Sequence, residues 1–270
     1  MTTAEGQHFK TLCRHWRQRR RLSQLDLALA ADVSQRHVSW LETGRSRPSR
    51  DMIVRLSDAM DIPLRERNAL LQSAGFIGSY KESDFSDPAM KPVLDALNHI
   101  LKHQEPFPAI IVDRSWNVRK TNTAADSLLS LGGDPTKMLA QVGAGDELNL
   151  ALLTVHPEGL RRYISNWDQA APAFIRRLRN EALTSGDTAL EARLSHYIDL
   201  AGPMNESDPD QQALMPVLPL ELNINGLKLS LFSVIATFGT AQDITTDELR
   251  IETFYPNDEI TASFFRDSAR

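Results

Sequence analysis

Apolar residues recur at helical spacing through residues 1–75 and predict five short helices. The first three are expected at about 6–20, 24–31 and 35–43, the fourth after Ser49, and the fifth between Pro63 and Gly75. In the second helix we expect Leu25, Ala28 and Leu29 to be buried, because their spacing places them on one face. Val38 and Leu41 share a face of the third helix and are expected to pack against the second.

The ends of these helices carry local stop and start residues. Ser23 and Asp26 have the spacing of a capping box, with Asp where Glu is more usual. Ser34 is placed to cap the third helix, and Gly44 is placed to end it. The pattern therefore predicts a helix, a tight turn and a second helix over residues 23–44.

Residues 76–92 lose this periodicity and are rich in Gly, Ser, Asp and Pro, which predicts a linker. Strands are expected at 108–113, 116–121, 217–224, 227–238 and 249–255, and helices at 93–103, 122–132, most of 147–200 and the end of the chain. Arg114-Ser115 is expected to turn the first hairpin, and Asn225-Gly226 is a strong hairpin sequence for the second. Residues 201–215 are expected to form an acidic loop.

These elements predict an α+β protein with two domains. A five-helix domain that contains a helix-turn-helix is expected over 1–75, and a second domain is expected over 93–270. Two early and three late strands make a five-stranded antiparallel sheet with helices over one face, which is typical of the PAS architecture.

The charge is divided unequally between the two expected domains. The whole chain has a net charge of −5. Residues 1–75 carry 13 Lys and Arg against 8 Asp and Glu, whereas residues 76–270 carry 17 against 27. The excess of positive charge in the first 75 residues indicates that only this part binds a polyanion such as DNA.

Other features of composition indicate a cytoplasmic protein. No apolar run reaches the length of a membrane span, and MTTAEGQHF at the N-terminus lacks the pattern of a secretion signal. The single cysteine, Cys13, forms no intrachain disulfide and no zinc cluster. We therefore expect no membrane association, no metal and no cofactor.

The third helix has the properties of a recognition helix in the major groove of DNA. Its outer face presents Gln35, Arg36, Ser39, Trp40 and Thr43, and at its N-terminal end Arg suits guanine and Gln suits adenine. Contacts to phosphates or to the flanking strand are expected from Gln24, Ser34, Arg45, Arg47 and Arg50.

Trp40 is a large apolar ring at a position that faces the groove. Three roles remain open for it. It contacts a thymine methyl group, it lies under the guanidinium of Arg36 in a cation–π pair, or it packs against the following loop.

The first 75 residues resemble the helix-turn-helix regulators of the xenobiotic-response-element (XRE) type, which implies a phage-repressor-like fold. The resemblance rests on LSQ (22–24), Leu27-Ala28, Val33-Ser34, Val38-Ser39, LETGR (41–45) and Pro48-Ser49. It implies that Glu42 forms a structural salt bridge with Arg17. Asp32 replaces the glycine that the family often has in the turn, and Asp tolerates the left-handed backbone conformation needed there.

The rest of the chain resembles the ligand-binding domain of MmyB-like transcription regulators. The matching stretches are RERNALL (65–71), DPA (87–89), PAIIVDRSWN (108–117), HPEGL (156–160), Trp167, Phe232-Ser233, TFGT (237–240) and IETFYP (251–256). The resemblance implies a one-component regulator whose PAS-like domain binds a fatty-acid-like or other small apolar ligand.

Residues facing the inside of such a domain are candidates for a ligand site. The apolar and aromatic candidates are Tyr163, Trp167, Phe174, Leu178, Leu231 and Ile235, with Ser233 on the same strand as the last two. Asn122, His156 and Arg161 are candidate polar anchors, and Arg suits a carboxylate. Each apolar candidate has the alternative role of a plain core residue, and His156-Pro157 has that of a helix start.

Three functions compete at this point. The first is a ligand-responsive regulator that binds an inverted-repeat operator as a homodimer. The second is an enzyme with a DNA-binding appendage, but the familiar nucleotide, hydrolase and metalloprotease motifs are absent from the sequence, and His99 and His103 lack a third metal ligand nearby. The third is a DNA-binding protein whose second domain only dimerises or docks a protein partner. We favour the first and expect no enzymatic activity.

Overall fold

The computed structural model of the chain describes residues 4–143, 147–203 and 217–268. These residues form two compact units. The N-terminal unit consists of the residues up to 83 together with 183–186 and 240–247. The remaining described residues form the sheet unit. Most of the expected acidic loop at 201–215 lies outside the described residues.

The five expected helices are present in the N-terminal unit. They are α1 (Ala4–Arg19), α2 (Gln24–Ala30), α3 (Gln35–Thr43), α4 (Arg50–Ala59) and α5 (Leu64–Ser73). Their apolar faces meet in one core that includes Trp16, Val38, Leu41 and Ile53, all at most 2% exposed. Burial of these side chains provides the main favourable free energy for folding the unit.

The buried face of α2 differs from the expected one. Leu25 and Leu29 are 50% and 72% exposed, whereas Leu27 and Ala28 are buried. Ala31, directly after the helix, is also buried, and positions 27, 28 and 31 have helical spacing just as 25, 28 and 29 do. Periodicity in so short a helix therefore does not choose between the two sets. Packing against the neighbouring helices makes that choice, and the expectation for Leu25 and Leu29 was wrong.

The expected signals at the helix ends are confirmed. Ser23 accepts a hydrogen bond from the backbone N–H of Asp26 and forms the capping box. Ser34 accepts from the N–H of His37, and Gly44 ends α3 in the left-handed region with φ 75°. Asp32 adopts φ 51° in the turn, as its short polar side chain allows.

The sheet unit contains the expected five-stranded antiparallel sheet. Its strands are β1 (Ala109–Val112), β2 (Val118–Thr121), β3 (Leu220–Ile224), β4 (Leu227–Ala236) and β5 (Arg250–Pro256), in the order β2-β1-β5-β4-β3. The helices that follow α5 in the chain are α6 (Lys91–Gln104), α7 (Thr123–Ser130), α8 (Pro135–Val142), α9 (Leu150–Val155), α10 (Trp167–Ser185), α11 (Thr188–Leu200), α12 (Ile244–Glu248) and α13 (Glu259–Ser268). Of these, α12 up to Asp247 and residues 183–185 at the end of α10 belong to the N-terminal unit. Short 3₁₀ helices lie at Pro88–Met90 and Leu160–Tyr163.

Side chains of the central strands are buried on both faces of the sheet. Ile110 belongs to a large core shared with the helices that follow β2, whereas Ile111 packs with Leu97 and Leu101 of α6 on the opposite face. Helices therefore cover both faces, not one as expected, and this explains the uninterrupted apolar run of β1.

The two hairpins differ in how well their turns follow the sequence. Asn225 and Gly226 have φ of 54° and 91°, as expected for a two-residue turn between β3 and β4. The connection between β1 and β2 is longer than the expected two residues. Asp113 accepts hydrogen bonds from the N–H groups of Ser115 and Asn117, and β2 begins only at Val118. The carboxylate of Asp113 thus holds the backbone out of the strand for two further residues.

Among the described residues, no helix is long and apolar enough to cross a membrane.

Candidate DNA-binding surface and ligand cavity

The outer face of α3 is exposed, and we call it the α3 surface. It consists of Gln35, Arg36, Ser39, Trp40 and Thr43. All are exposed except Ser39, which is half-buried. Val38 and Leu41 on the opposite face anchor the helix in the core. The burial pattern therefore leaves the side chains at the N-terminal end of α3 accessible to a partner.

Trp40 pairs with Arg36 on this surface. The guanidinium carbon of Arg36 lies 4.6 Å from the centre of the Trp40 ring, and Trp40 is 36% exposed. This is the geometry of one of the three expected roles, the cation–π pair. The backbone carbonyl of Trp40 also accepts hydrogen bonds from the N–H groups of Arg45 and Ser46, which holds the loop after α3 against its end.

A buried ion pair supports α3 from behind. Arg17 on α1 donates from Nε and Nη2 to the carboxylate of Glu42, at 2.6 and 2.9 Å, as the resemblance implied. Burial alone raises the pKa of Glu42, but hydrogen bonds from Arg17 and Gln24 and the charge of Arg17 outweigh it and hold that pKa below its ordinary value. Glu42 is thus a buried carboxylate whose hydrogen bonds tie α1, α2 and α3 together.

Several residues expected to contact DNA also have partners within the protein. Gln24 donates from its side-chain amide to Glu42 at 2.9 Å, and Arg50 donates to the hydroxyl of Ser79 at 2.6 Å. The Ser34 oxygen caps α3, and the Thr43 hydroxyl donates to the carbonyl of Ser39. Arg45 and Arg47 are exposed beside the α3 surface.

The sheet unit contains a largely apolar cavity, partly open, with a volume of about 310 Å³. Its walls come from β1, β3, β4 and β5, from α7, α9 and α10, and from the 3₁₀ helix Leu160–Tyr163. Six aromatic side chains line it: Trp116, Tyr163, Trp167, Phe174, Phe232 and Phe254. Such an apolar, partly aromatic cavity with a few polar groups is the usual form of a small-molecule site.

Four of the ten expected ligand residues lie in the cavity wall. They are Tyr163, Trp167, Phe174 and Ser233. Leu178 and Leu231 are fully buried in the core instead, and Ile235 lies outside the wall. Periodicity identified the faces of α10 and β4 correctly, but it did not tell the cavity from the packed core beside it.

The three expected polar anchors lie elsewhere. Asn122 caps α7 and exchanges hydrogen bonds with the backbone of Ala109 and Phe107. The Nδ1 atom of His156 accepts from the N–H of Glu158, and His156 follows the end of α9, so it does not start a helix as its sequence also suggested. Arg161 stacks on the Trp167 ring at 4.8 Å but does not line the cavity. The expectation that these three side chains line the cavity is therefore corrected. Asn122 and His156 hydrogen-bond to backbone groups, and Arg161 stacks on the Trp167 ring outside the cavity.

The polar groups in the cavity wall are Thr154, Arg177, Glu252 and Ser233. Glu252 is a buried carboxyl on β5, and Ser233 on β4 lies diagonally across from it on the same face of the sheet. Burial raises the pKa of Glu252, and the neighbouring Arg177 and Ser233 offset this only in part. Sequence reasoning missed Glu252, although a charged residue at an inward position of a strand is an unusual feature.

Arg177 is held by an organised set of neighbours. Its guanidinium stacks on Trp116 at 4.7 Å, and its Nε donates to Glu181 at 3.0 Å. Trp116 donates from Nε1 to the same carboxylate at 2.8 Å, and Arg250 approaches it at 3.7 Å. Arg177 is therefore a positioned part of the cavity wall.

No feature of the described residues indicates a metal centre. The rings of His99 and His103 stack with their centres 6.3 Å apart on α6. Among the described residues, no group of three or more His, Cys, Asp and Glu side chains is placed to hold a metal ion. Burial, reinforced by the charge of Glu42, raises the pKa of Cys13 to about 12, so this thiol stays protonated at neutral pH.

An exposed recognition-type helix in one unit and a ligand-type cavity in the other define a DNA-binding transcription regulator. Residues 12–70 match the family model of a helix-turn-helix domain. Residues 93–267 match that of the MmyB-like transcription regulator ligand binding domain. This match covers more than half of the 270 residues, so the chain belongs to the family of MmyB-like transcription regulators. Neither match is to an enzyme family, and no curated protein matches the chain.

Proposed function

We propose that this protein is a one-component transcription regulator that binds a specific operator through the α3 surface and responds to a small, largely apolar ligand in the cavity. The observation that carries the proposal is an apolar cavity in a chain that also presents an exposed recognition helix. A regulator that only docked a partner protein would need no such cavity, and this favours the ligand-responsive function over that alternative.

The α3 surface contains the side chains that would read bases. Arg36 would pair with guanine and Gln35 with adenine, each pair contributing about 1–3 kcal/mol of discrimination. Ser39 and Thr43 would contact the neighbouring bases, and Trp40 would position the guanidinium of Arg36. Phosphates would be held by the residues flanking α3, namely Gln24, Ser34, Arg45, Arg47 and Arg50.

A single recognition helix reads a half-site of only a few base pairs, so specific binding calls for two. We therefore propose a homodimer on an inverted repeat, acting in the cytoplasm. The ligand would bind one arrangement of the two DNA-binding units more tightly than the other and shift the population toward it.

The proposed ligand has an apolar body, as in a fatty-acid-like molecule. A volume of about 310 Å³ lies at the small end of the range for ligand pockets. Ten buried methylenes would contribute roughly 8 kcal/mol before the costs of ordering the chain.

Mass spectrometry of the native protein, followed by DNA titrations with and without the extracted ligand, tests this function. We expect operator affinity to change when ligand is added. Ala170→Phe, which places a ring in the cavity wall, should abolish that change while leaving operator binding by the ligand-free protein intact. Gln169→Phe adds the same ring at an exposed neighbour and serves as the control. Identical operator binding with and without ligand would eliminate the sensing function.

A further inference from the structure

The second half of strand β4 has a neighbouring strand on one side only. β3 pairs with Leu227–Leu231 of β4, whereas β5 pairs with the part of β4 from Leu231 to Ala236. Among the described residues, no strand pairs with Phe232–Ala236 on the side of β3. We call this segment the open edge of β4. A strand edge of this kind presents backbone N–H and C=O groups to which another strand can hydrogen-bond.

The backbone groups of alternate residues face the open side. Glu221 of β3 makes its backbone hydrogen bonds on the side away from β4, to the segment just before α10. Its strand neighbour Leu220 therefore faces β4 and pairs with Leu231. The same alternation continued along β4 points the N–H and C=O groups of Ser233 and Ile235 outward from the open edge.

The side chains of the open edge are exposed and uncharged. Ser233, Val234 and Ala236 are exposed, Val234 by 49%. The sequence from Leu229 to Phe238 contains no charged residue and no proline, and the register of β4 with β5 shows no bulge. Lys, Pro and bulges are the usual means by which a protein prevents pairing at an edge. The open edge of β4 lacks them, so it is suited to binding another strand.

The open edge is complementary to a second copy of itself. Two copies can lie antiparallel about a two-fold axis at Val234, so that Ser233 of one copy is opposite Ile235 of the other. Every outward N–H and C=O group of both copies then has a partner. The two Val234 side chains lie directly opposite each other, and Phe232 lies opposite Ala236, so the apolar row on this face continues across the axis.

We propose that the protein dimerises by pairing the open edges of β4 in this register, which joins the two sheets into one continuous sheet. The inference rests on the proposed homodimer and names its interface. The symmetric fit of the edge to itself favours a second copy over an unrelated strand.

This interface also connects the dimer to the cavity. Ser233 belongs to the cavity wall. In the proposed register its neighbour across the interface is Ile235 of the other copy, on the same face of the sheet. A residue of each copy therefore extends the cavity wall of the other.

The oligomeric state of the full chain, measured by analytical ultracentrifugation, tests the interface. We expect the wild type to be a dimer. Val234→Lys places two ammonium groups opposite each other at the axis and should raise the dimer dissociation constant by about a hundredfold. Ile260→Lys makes the same change at an exposed apolar residue of α13 and should leave the dimer intact. A Val234→Lys variant that dimerises as tightly as the wild type would overturn the inference.

A disulfide tests the register and does not depend on the lysine variant. Val234→Cys places two thiols opposite each other at the axis, in a type of pair whose Cα atoms lie about 4.5 Å apart, within reach of a disulfide. Mild oxidation should convert most of this variant into a covalent dimer. Ile235→Cys is opposite Ser233 rather than its own counterpart and should crosslink much less. The native Cys13 is buried and should not take part. Equal crosslinking in the two variants, or none in Val234→Cys, would overturn the inference.

The outcomes separate this interface from the proposed function. A dimeric wild type without either effect would dimerise through another surface, so the inference would fall while the proposed homodimer stands. A monomeric wild type would overturn the inference and the proposed homodimer together. The response of operator binding to a ligand is tested separately through Ala170→Phe, so its failure is distinguishable from that of the interface.

Discussion

The N-terminal unit and the sheet unit each bury a glutamate, and the two carboxyls are used in opposite ways. Glu42 is held by Arg17 and Gln24, which satisfy it within the protein and lower its pKa. Glu252 lines a cavity beside Ser233, and burial raises its pKa. The difference shows that burial alone says little about a charged residue. The groups around it decide whether it supports the fold or lines a cavity.

The α3 surface and the cavity differ in how far apart in sequence their residues lie. The α3 surface lies on one nine-residue helix, and its neighbours in sequence are its neighbours in space. The cavity draws its wall from residues between Ile110 and Phe254. A local surface tolerates changes elsewhere in the chain, whereas the cavity depends on the packing of the whole unit.

Removal of the Glu42 carboxylate should have the largest effect on stability. Glu42→Ala leaves the guanidinium of Arg17 without its partner, and we expect the free energy of unfolding of the N-terminal unit to fall by about 3–5 kcal/mol. Hydrogen exchange of the α3 amides measures this loss. Asp58→Ala removes an exposed carboxylate from its pair with Arg67 and should cost about 1 kcal/mol or less. Equal losses in the two variants would mean that the Glu42 pair is no more important than a surface pair.

Arg36→Ala should reduce operator binding next most strongly. Loss of a bidentate base contact weakens binding to the preferred sequence by about 1–3 kcal/mol and leaves binding to unrelated DNA nearly unchanged. The operator is first selected from a random pool, and titrations then compare it with unrelated DNA. Arg45→Ala should instead weaken both kinds of binding alike and reduce the salt slope by about one. A uniform loss for Arg36→Ala would assign it to the phosphates.

Trp40→Ala should have a smaller effect on the operator. The exposed cation–π contact with Arg36 contributes about 0.5–1 kcal/mol to positioning that side chain. A double-mutant cycle with Arg36→Ala should recover this value as a coupling energy, because the second change has no guanidinium left to position. Additive losses would mean that Trp40 contacts the DNA directly. Unchanged operator affinity with a lower melting temperature would mean that it only packs.

The two glutamates should also respond to pH with opposite signs. The lowered pKa of Glu42 stabilises the folded N-terminal unit above the ordinary carboxyl pKa, and this stabilisation is lost as the pH falls through the lowered value. The raised pKa of Glu252 makes a contribution that is present below the ordinary pKa and is lost as the pH rises through the raised value. Melting curves from pH 4 to 8 should therefore show Glu42→Gln losing most at neutral pH and Glu252→Gln gaining there. Parallel curves for the two variants would contradict this assignment.

The sequence predicted most of the N-terminal unit because its determinants are local. Ser23, Ser34, Asp32 and Gly44 act on backbone within a few residues, and each behaves as its side chain requires. The exception is instructive. The buried face predicted for α2 was wrong because two sets of apolar positions, 25, 28 and 29 and 27, 28 and 31, both have helical spacing. Only contact with the other helices decides which set is buried.

The residues that line the cavity were less predictable because they depend on contacts between parts of the chain that are distant in sequence. Alternation along β4 and the helical period of α10 indicated which faces point inward, and four of the ten expected residues do line the cavity. Whether an inward side chain meets empty space or another side chain depends on residues far away in sequence. Leu178 and Leu231 are packed against other side chains in the core, and Asn122 hydrogen-bonds to the backbone of Ala109.

The sequence by itself determined the family, the five helices, the turns, the five strands and the exposed face of α3, because these follow from periodicity, capping residues and backbone preferences over short spans. Only the tertiary structure decided that Arg36 lies over Trp40, that Gln24 binds Glu42, and that Glu252 faces a cavity. A carboxyl has the same chemistry wherever it stands in the chain, and its pKa and its role depend on the groups that folding brings around it.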